Sequence, residues 1–538
     1  MDEQTLSAAL TRIDADVAAW MAARATPGLA LAVTDRAGLL AERSYGVADL
    51  AAGAPVTPQT WFQHGSIGKS FSAIVTLQLV DEGVLDLHAP VTAYLPWFAV
   101  GGGHAPITLH HLLTHTSGLP AGSDLSPDQR YENWALREVP AAPPGSRMRY
   151  SNVGYRVLGQ ALERVTGQTY RELVTQRILQ PLGMRDTSAV IDNSTRGRQA
   201  IPYLEYYGDR PWRPAHGFAP APWFETNTAD GSLVGTAADL ATYLRMLLNG
   251  GVGPDGRILS PEGYALLTAP HAEASWATYG YGLFVGEANG RARIGHNGGM
   301  VGFMAAMRGD VATGLGVVLF TNCAQGVGSL AQELLATLVA AQEGTPLLPP
   351  VPPPPVDLSV YAGTYGAGDD VVTATVEDGA LTLQWGAARL PLELFDIPPA
   401  PDWFLATAPG YDLVPFQFQR GEDGVITGLS HGAHWFPAPG HDDPAADETP
   451  PEWAAYPGHY RAHNPWTPGF RVVLRQGALR LIHPWGEEAV LVPDGSGAFV
   501  ADNEPEGPER FIFDTIVDGQ ALRAGSPGSE MYYRFFTE

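Results

Sequence analysis

Cysteine and lysine are nearly missing from this chain: among 538 residues there is one of each, Cys323 and Lys69. A single cysteine excludes any disulfide within the chain and any metal site built on two thiolates. Positive charge as a whole is scarce, with 32 Lys and Arg against 57 Asp and Glu and a formal net charge of −25. A surface of that sign repels phosphate backbones and anionic bilayers, so neither nucleic acid nor membrane is expected as a partner. No run approaches the roughly 18 apolar residues of a membrane span. The opening MDEQTLSAALTRIDADVAAW carries acids where a secretory signal carries bases, and no apolar stretch follows. The chain reads as cytoplasmic; a periplasmic or secreted protein with its signal removed would look the same. Hydrophobic residues make up 45% and charged residues 17%, which is apolar enough to build several cores and excludes disorder.

The lone lysine steers the functional reading. An arginine bias accounts for the other 31 basic residues, but not for the one lysine that remains. Arginine keeps its proton at any working pH, whereas a buried lysine can lose it and act as a base.

Three regions are visible along the chain. From Pro27 to about Leu338, strand patterns at both ends flank a helical middle. GLALAVTDR (28–36) and LLAERSYGVADL (39–50) read as a hairpin, and the stretches 70–87, 108–119, 152–167, 170–183 and 329–342 read as helices. Strands resume after Tyr279. Strands from both ends with helices between them predict an α+β unit, one antiparallel sheet covered by helices. TPLLPPVPPPPV (345–356) reads as a polyproline spacer. Beyond it, short strands alternate with Gly, Pro and Asp turns, and a repeat appears. YAGTY (361–365) with DGALTLQW (378–385) returns as YPGHY (456–460) with QGALRLIH (476–483). Each repeat predicts a small antiparallel barrel or curved sheet of about eight strands. The expected domains are therefore 1–344, a linker 345–356, and barrels 357–446 and 451–538.

Ser66 lies three residues before Lys69 at the start of a helix, in WFQHGSIGKSFSAI (61–74). Residues i and i+3 share a helix face, so the hydroxyl can reach the amine. A serine attacks a carbonyl only when a base takes its proton. The same residues nearly spell a phosphate-binding loop, but its first glycine would fall at Gln63. Two further elements strengthen the hydrolase reading. Tyr150-Ser151-Asn152 stands where a loop opens a helix, with a phenol to relay protons and an amide to bind a carbonyl. His296-Asn297-Gly298 stands on a strand. There glycine lets substrate lie against the edge, the Gly299 N–H can serve an oxyanion, and a histidine can supply a proton or a charge that follows pH. Tyr131-Glu132-Asn133 repeats the Tyr-x-Asn pattern in a polar stretch without a loop-to-helix break. His110, His111 and His115 lack the glutamate of a zinc hydrolase and read as packing.

In this order, Ser66-x-x-Lys69, Tyr150-x-Asn152 and His296-x-Gly298 resemble the serine β-lactamase and penicillin-binding-protein superfamily. The likeness is to the branch of class C β-lactamases, D-alanyl-D-alanine carboxypeptidases, D-aminopeptidases and related esterases. HHLLTHTSGLP (110–120) and DGSLVGTAADLATYL (230–244) look like signatures of that branch. The resemblance covers about residues 10–342 and extends to D-aminopeptidases in the two barrels. It implies a β-lactamase/transpeptidase-like fold followed by lipocalin-like barrels, and catalytic Ser66, Lys69, Tyr150 and His296. It further implies that Asn152, Gly298 and Gly299 bind substrate and oxyanion. No metal or organic cofactor is expected, the substrate is a small molecule or short peptide, and a homodimer is compatible with the reading. Asn297 where threonine is usual, and His296 where the β-lactamases carry lysine, depart from the pattern. Peptidase or amidase, carboxylesterase or weak β-lactamase, and non-catalytic penicillin binder are the three readings.

Overall fold

Strand Gly28–Thr34 is buried at every position, as a strand covered on both faces must be. Its side chains alternate between two cores. Leu29, Leu31 and Val33 pack with Leu10, Ile13 and Leu334, whereas Ala30 and Ala32 belong to the core that holds Phe71, Leu158 and Leu244. In the computed structural model, residues 1–122, 128–139, 141–347, 356–368, 370–395, 402–441, 449–502, 510–525 and 531–536 are described. The chain divides into two compact units, Met1–Tyr206 with Pro214–Pro349, and Tyr207–Arg213 with Pro350–Glu538.

The first unit is built on a nine-stranded antiparallel sheet. Strand Gly28–Thr34 lies between Leu39–Asp49 and Gly316–Thr321, with Leu31 opposite both Arg43 and Leu319. Strands from the two ends of the unit's sequence thus pair within one antiparallel sheet, as the strand pattern predicted. Helices Glu3–Arg24 and Gly328–Gln342 cover one face, and Gly68–Asp81, Asn152–Thr166 and Ala237–Leu248 cover the other. Helix Asn152–Thr166 starts where the Ser151 hydroxyl accepts the Gly154 N–H and stops at Gly167, in the left-handed region.

Two expected helices come out shorter. In 108–119 only Leu109–Leu113 is helical, because the chain turns out at His115 with φ +57°. The stretch 170–183 is helical over Tyr170–Val174, loosens into a π turn over Thr175–Leu179, and regains one α turn before Gly183. His110 Nδ1 stands 2.8 Å from the Tyr281 hydroxyl and the His111 ring bonds Thr108. Among the described residues no group of three or more His, Cys, Asp or Glu is placed to hold a metal ion. Among them, too, no helix is long and apolar enough to cross a membrane.

The second unit carries two eight-stranded antiparallel sheets. The first is a meander from Gly363–Ala367 to His434–Pro437, each strand beside its neighbour in sequence. The second runs from Gly458–Arg461 to Met531–Arg534, and a bridge between Phe499 and Phe511 joins its two ends. Both are barrel-like, each around its own apolar core. The repeat in the sequence has a physical basis. The Tyr365 hydroxyl donates to the Tyr361 carbonyl at 2.9 Å, and the Tyr460 hydroxyl to the Tyr456 carbonyl at 2.7 Å, so each Tyr-x-Gly-x-Tyr run closes on itself. Segment Tyr207–Arg213 belongs to this unit although it precedes it by well over a hundred residues. Arg210 pairs with Asp209 and Asp412 at 2.9 and 2.7 Å. Most of the proline-rich stretch 345–356 lies outside the described residues.

The Phe320 ring, fully buried, stacks on Phe62 at 5.6 Å and on His64 at 5.0 Å. Phe320→Ala is expected to cost the first unit about 3–5 kcal/mol. Calorimetry should show its transition lowered; an unmoved transition would contradict this packing.

Candidate active site

The turn that carries the site exists because glycine occupies it. Strand Phe62–Gln63 leads through His64 to Gly65, whose φ of +53° admits few other residues. A Cβ on Gly65 would lie 2.6 Å from the Gly299 nitrogen, and one on Gly298 would run into the His64 carbonyl. The turn bearing Ser66 and the strand Arg291–Met300 are therefore in backbone contact. On its other side that strand pairs with Phe284–Ala288 only as far as Gly295, which leaves His296–Met300 unpaired there.

Ser66 sits in the 3-10 turn Gly65–Ile67 that runs into helix Gly68–Asp81. It is partly exposed, while Lys69, one turn on, is fully buried. Lys69 Nζ is 2.9 Å from Ser66 Oγ, 2.7 Å from Asn152 Oδ1 and 2.9 Å from the Asp230 carbonyl oxygen. The amide and main-chain oxygens can only accept, so they take two N–H bonds of the amine. The third neighbour is a hydroxyl, which can accept from an ammonium or donate to a free amine. The Tyr150 ring centroid is 4.8 Å from Nζ and that of Tyr155 5.6 Å.

Asp230 is held from behind. Its carboxylate is buried and meets Arg156 at 3.2 Å, and Arg156 meets Glu132 at 2.7 Å. Burial alone would raise the Asp230 carboxyl, but the Arg156 guanidinium and Lys69 hold it below the usual carboxylate range. Arg156 lies one helical turn after Asn152, on the same face.

His296 is 1% exposed. Its Nδ1 meets the Asn297 carbonyl, which only accepts, so Nδ1 carries the proton; Nε2 then accepts from the Tyr279 hydroxyl at 2.9 Å. Burial pushes the imidazole down to about 3, with Lys69 and Arg308 adding to the effect against the Asn297 contact. The expectation of a charge that follows pH at this position is therefore corrected. The ring is neutral at working pH and both its nitrogens are engaged. Asn297 pairs across the sheet with Ala306, a residue of the core beneath the terminal helices, so it points to the opposite face from His296. There its side chain bonds Arg308, which also donates to the His296 carbonyl at 3.0 Å.

The structure brings Ser66, Lys69 and Asn152 into one hydrogen-bonded cluster, sets the Tyr150 ring beside the amine, and lays Gly298 and Gly299 against the serine turn. His296 joins through Tyr150, their ring centroids 6.2 Å apart. Arg156 and Tyr279 escaped the sequence reading, His115 was read as packing, and Asp230 entered only as the first residue of the 230–244 signature, with no role. For Arg156 a signal existed, its four-residue spacing from Asn152; the 230–244 signature marked Asp230 but not its contact with Lys69, which is made by a main-chain oxygen.

Sheet, helices and turn together make the β-lactamase/transpeptidase-like fold. The profile of the Beta-lactamase family matches residues 13–342, and the chain belongs to this family of serine hydrolases. Over 364 residues the chain is 32% identical to Penicillin-binding protein 4 of Amycolatopsis lactamdurans, spanning 63% of this chain and 93% of that protein. It is 40% identical over 199 residues to Esterase EstB of Burkholderia gladioli, 32% of this chain and 50% of that one. Among solved structures, the D-amino acid amidase of Ochrobactrum anthropi SV3 complexed with D-phenylalanine matches with a TM-score of 0.53 at 25% identity. That match covers 62% of this chain and 99% of the amidase.

Burial also depresses His64, to about 3, just ahead of the serine turn. In the unfolded chain it titrates near 6.5. Above that value both states are neutral. As pH falls below it the unfolded chain takes a proton that the native chain refuses, and stability is lost down to about 3. His64→Leu is expected to lose about 2 kcal/mol less between pH 7 and pH 5 than the parent protein. Denaturant titration at the two pH values measures it, and equal losses would refute it.

Proposed function

We propose that this chain is a hydrolase working through an acyl-enzyme on Ser66, acting on amide bonds of short peptides or D-amino-acid amides. The observation that carries the reading is the environment of Lys69 Nζ, buried against two pure acceptors and the serine hydroxyl. In that setting the free amine donates twice and presents its lone pair to Ser66 O–H. The proton passes from Oγ to Nζ as Oγ bonds to the substrate carbonyl carbon. The Ser66 and Gly299 N–H groups receive the oxyanion, an arrangement worth a few kcal/mol in other such holes. Asn152, with Oδ1 given to Lys69, turns its Nδ2 toward the substrate carbonyl. The C–N bond then breaks, the leaving amine takes the proton from Lys69 by way of the Tyr150 phenol, and the acyl group remains on Oγ. Water, deprotonated by the same pair, adds to the ester carbonyl and restores Ser66. His296, neutral and engaged, acts by holding Tyr279 and the strand edge.

The amide reading draws support from the likeness to the D-amino acid amidase and from His296. A neutral imidazole offers no cation to a substrate carboxylate, which favours release of amines from uncharged amides over carboxypeptidase or β-lactam chemistry. The local 40% identity to Esterase EstB supports a second reading, a carboxylesterase built on the same acyl-enzyme.

Mass spectrometry after incubation with D- and L-phenylalanine amide and p-nitrophenyl acetate separates the two. An adduct on the Ser66 peptide with ammonia released from an amide is expected. An adduct from the ester alone would establish the esterase, and no adduct from any of the three would overturn both. Lys69→Arg replaces the free amine with a permanently protonated group that cannot take the Ser66 proton, and is expected to slow acylation by at least about 100-fold. Near-parental rates in that variant would remove Lys69 from the role of base.

A further inference from the structure

Three consecutive residues around the phenol all meet one histidine. The Arg149 N–H donates to the His115 carbonyl at 2.6 Å, and the Ser151 N–H donates to His115 Nδ1 at 3.0 Å. Between them the Tyr150 ring lies against the His115 ring, centroids 4.1 Å apart. Both peptide neighbours of Tyr150 and the ring itself are thus tied to a single residue. His115 is fully buried and sits at φ +57°, a conformation that costs a non-glycine residue energy and persists where the surroundings enforce it. Tyr155 and Tyr279 close around the ring at 5.1 and 4.9 Å, and Lys69 and His296 are the titratable groups whose charge it feels.

We infer that His115 is a positioning residue, a neutral imidazole whose Nδ1 fixes the Tyr150–Asn152 turn against the Ser66–Lys69 turn. It rests on the reading of Ser66 and Lys69 given above. Because Nδ1 accepts an N–H, it carries no proton, and the imidazole's hydrogen is on Nε2. An imidazolium could not accept that bond, so the turn is held only by the neutral ring. Burial keeps the ring in that state, and a proton on Lys69, whenever it is there, adds to the effect. Asn152, next after Ser151, receives the same constraint and passes it to Lys69 Nζ through the 2.7 Å contact. The run Thr114-His115-Thr116-Ser117-Gly118, read from sequence as helix, is on this account the anchor for the phenol.

Two variants separate the acceptor from the ring. His115→Asn places an oxygen near the position of Nδ1 and tolerates the left-handed backbone. His115→Phe keeps the ring and loses the acceptor. Ser66 reactivity is followed as phosphonylation by a fluorophosphonate, which loses fluoride, and as acylation by p-nitrophenyl acetate, alongside thermal midpoints. The Phe variant is expected to lose on the order of 100-fold in kcat with KM unchanged, while the Asn variant stays close to the parent. Equal rates in the two variants, or a slower Asn variant, would overturn the inference. Should the Phe variant lack a cooperative melt, His115→Ala replaces it, and an Ala variant as fast as Asn would overturn the inference equally. Labelling of the parent protein is the control. No label on parental Ser66 defeats the hydrolase reading itself, whereas a labelled parent with equal variants defeats only the role of His115.

Discussion

The placement of one amine in a dry pocket is the constraint on which the rest of the first unit depends. Three oxygens close to Lys69 Nζ come from different parts of the chain: the serine turn, the start of helix Asn152–Thr166, and the loop at Asp230. None of the three can shift without loosening the other two. Arg156 closes the circuit, because it rises from the helix that begins at Asn152 and grips the carboxylate of the residue whose carbonyl meets Lys69. Removing one member of such a buried pair leaves an uncompensated charge, which costs more than the pair contributes. The cluster is therefore rigid for electrostatic reasons as well as steric ones.

Backbone contact supplies the second source of rigidity. At Gly65, Gly231 and Gly298 main chain lies against main chain with no room for a side chain, so turn and strand edge have fixed separations. A hole for an oxyanion needs donors whose positions do not relax as charge develops. Close-packed glycines meet that need better than side chains, which keep rotamer freedom.

Much of this was legible in the sequence, and the limits are physical. Strand Gly28–Thr34 reads correctly because a seven-residue apolar run between Pro27 and Asp35 fits little else, and the paired Tyr-x-Gly-x-Tyr runs betray a duplicated unit. Lys69 stands out by the absence of other lysines, and Ser66 by its spacing from it. What stayed hidden depends on partners distant in sequence. The neutrality of His296 follows from its burial, with Lys69 and Arg308 adding to the effect, which no local pattern records. The short helix at Leu109–Leu113 defeats periodicity because tertiary bonds to Arg149 and Ser151 outweigh the helical preference of the residues after it. Segment Tyr207–Arg213 joins the second unit through Arg210 and Asp412, 202 residues apart.

The seclusion of Lys69 also governs how the molecule meets amine-seeking electrophiles. Its outer surface displays guanidinium groups and no ε-amino group. For succinimidyl esters, aldehydes and reductive methylation the sole lysine target is a fully buried amine beside Ser66. A lysine adduct on this protein accordingly reports access to the buried nitrogen beside Ser66.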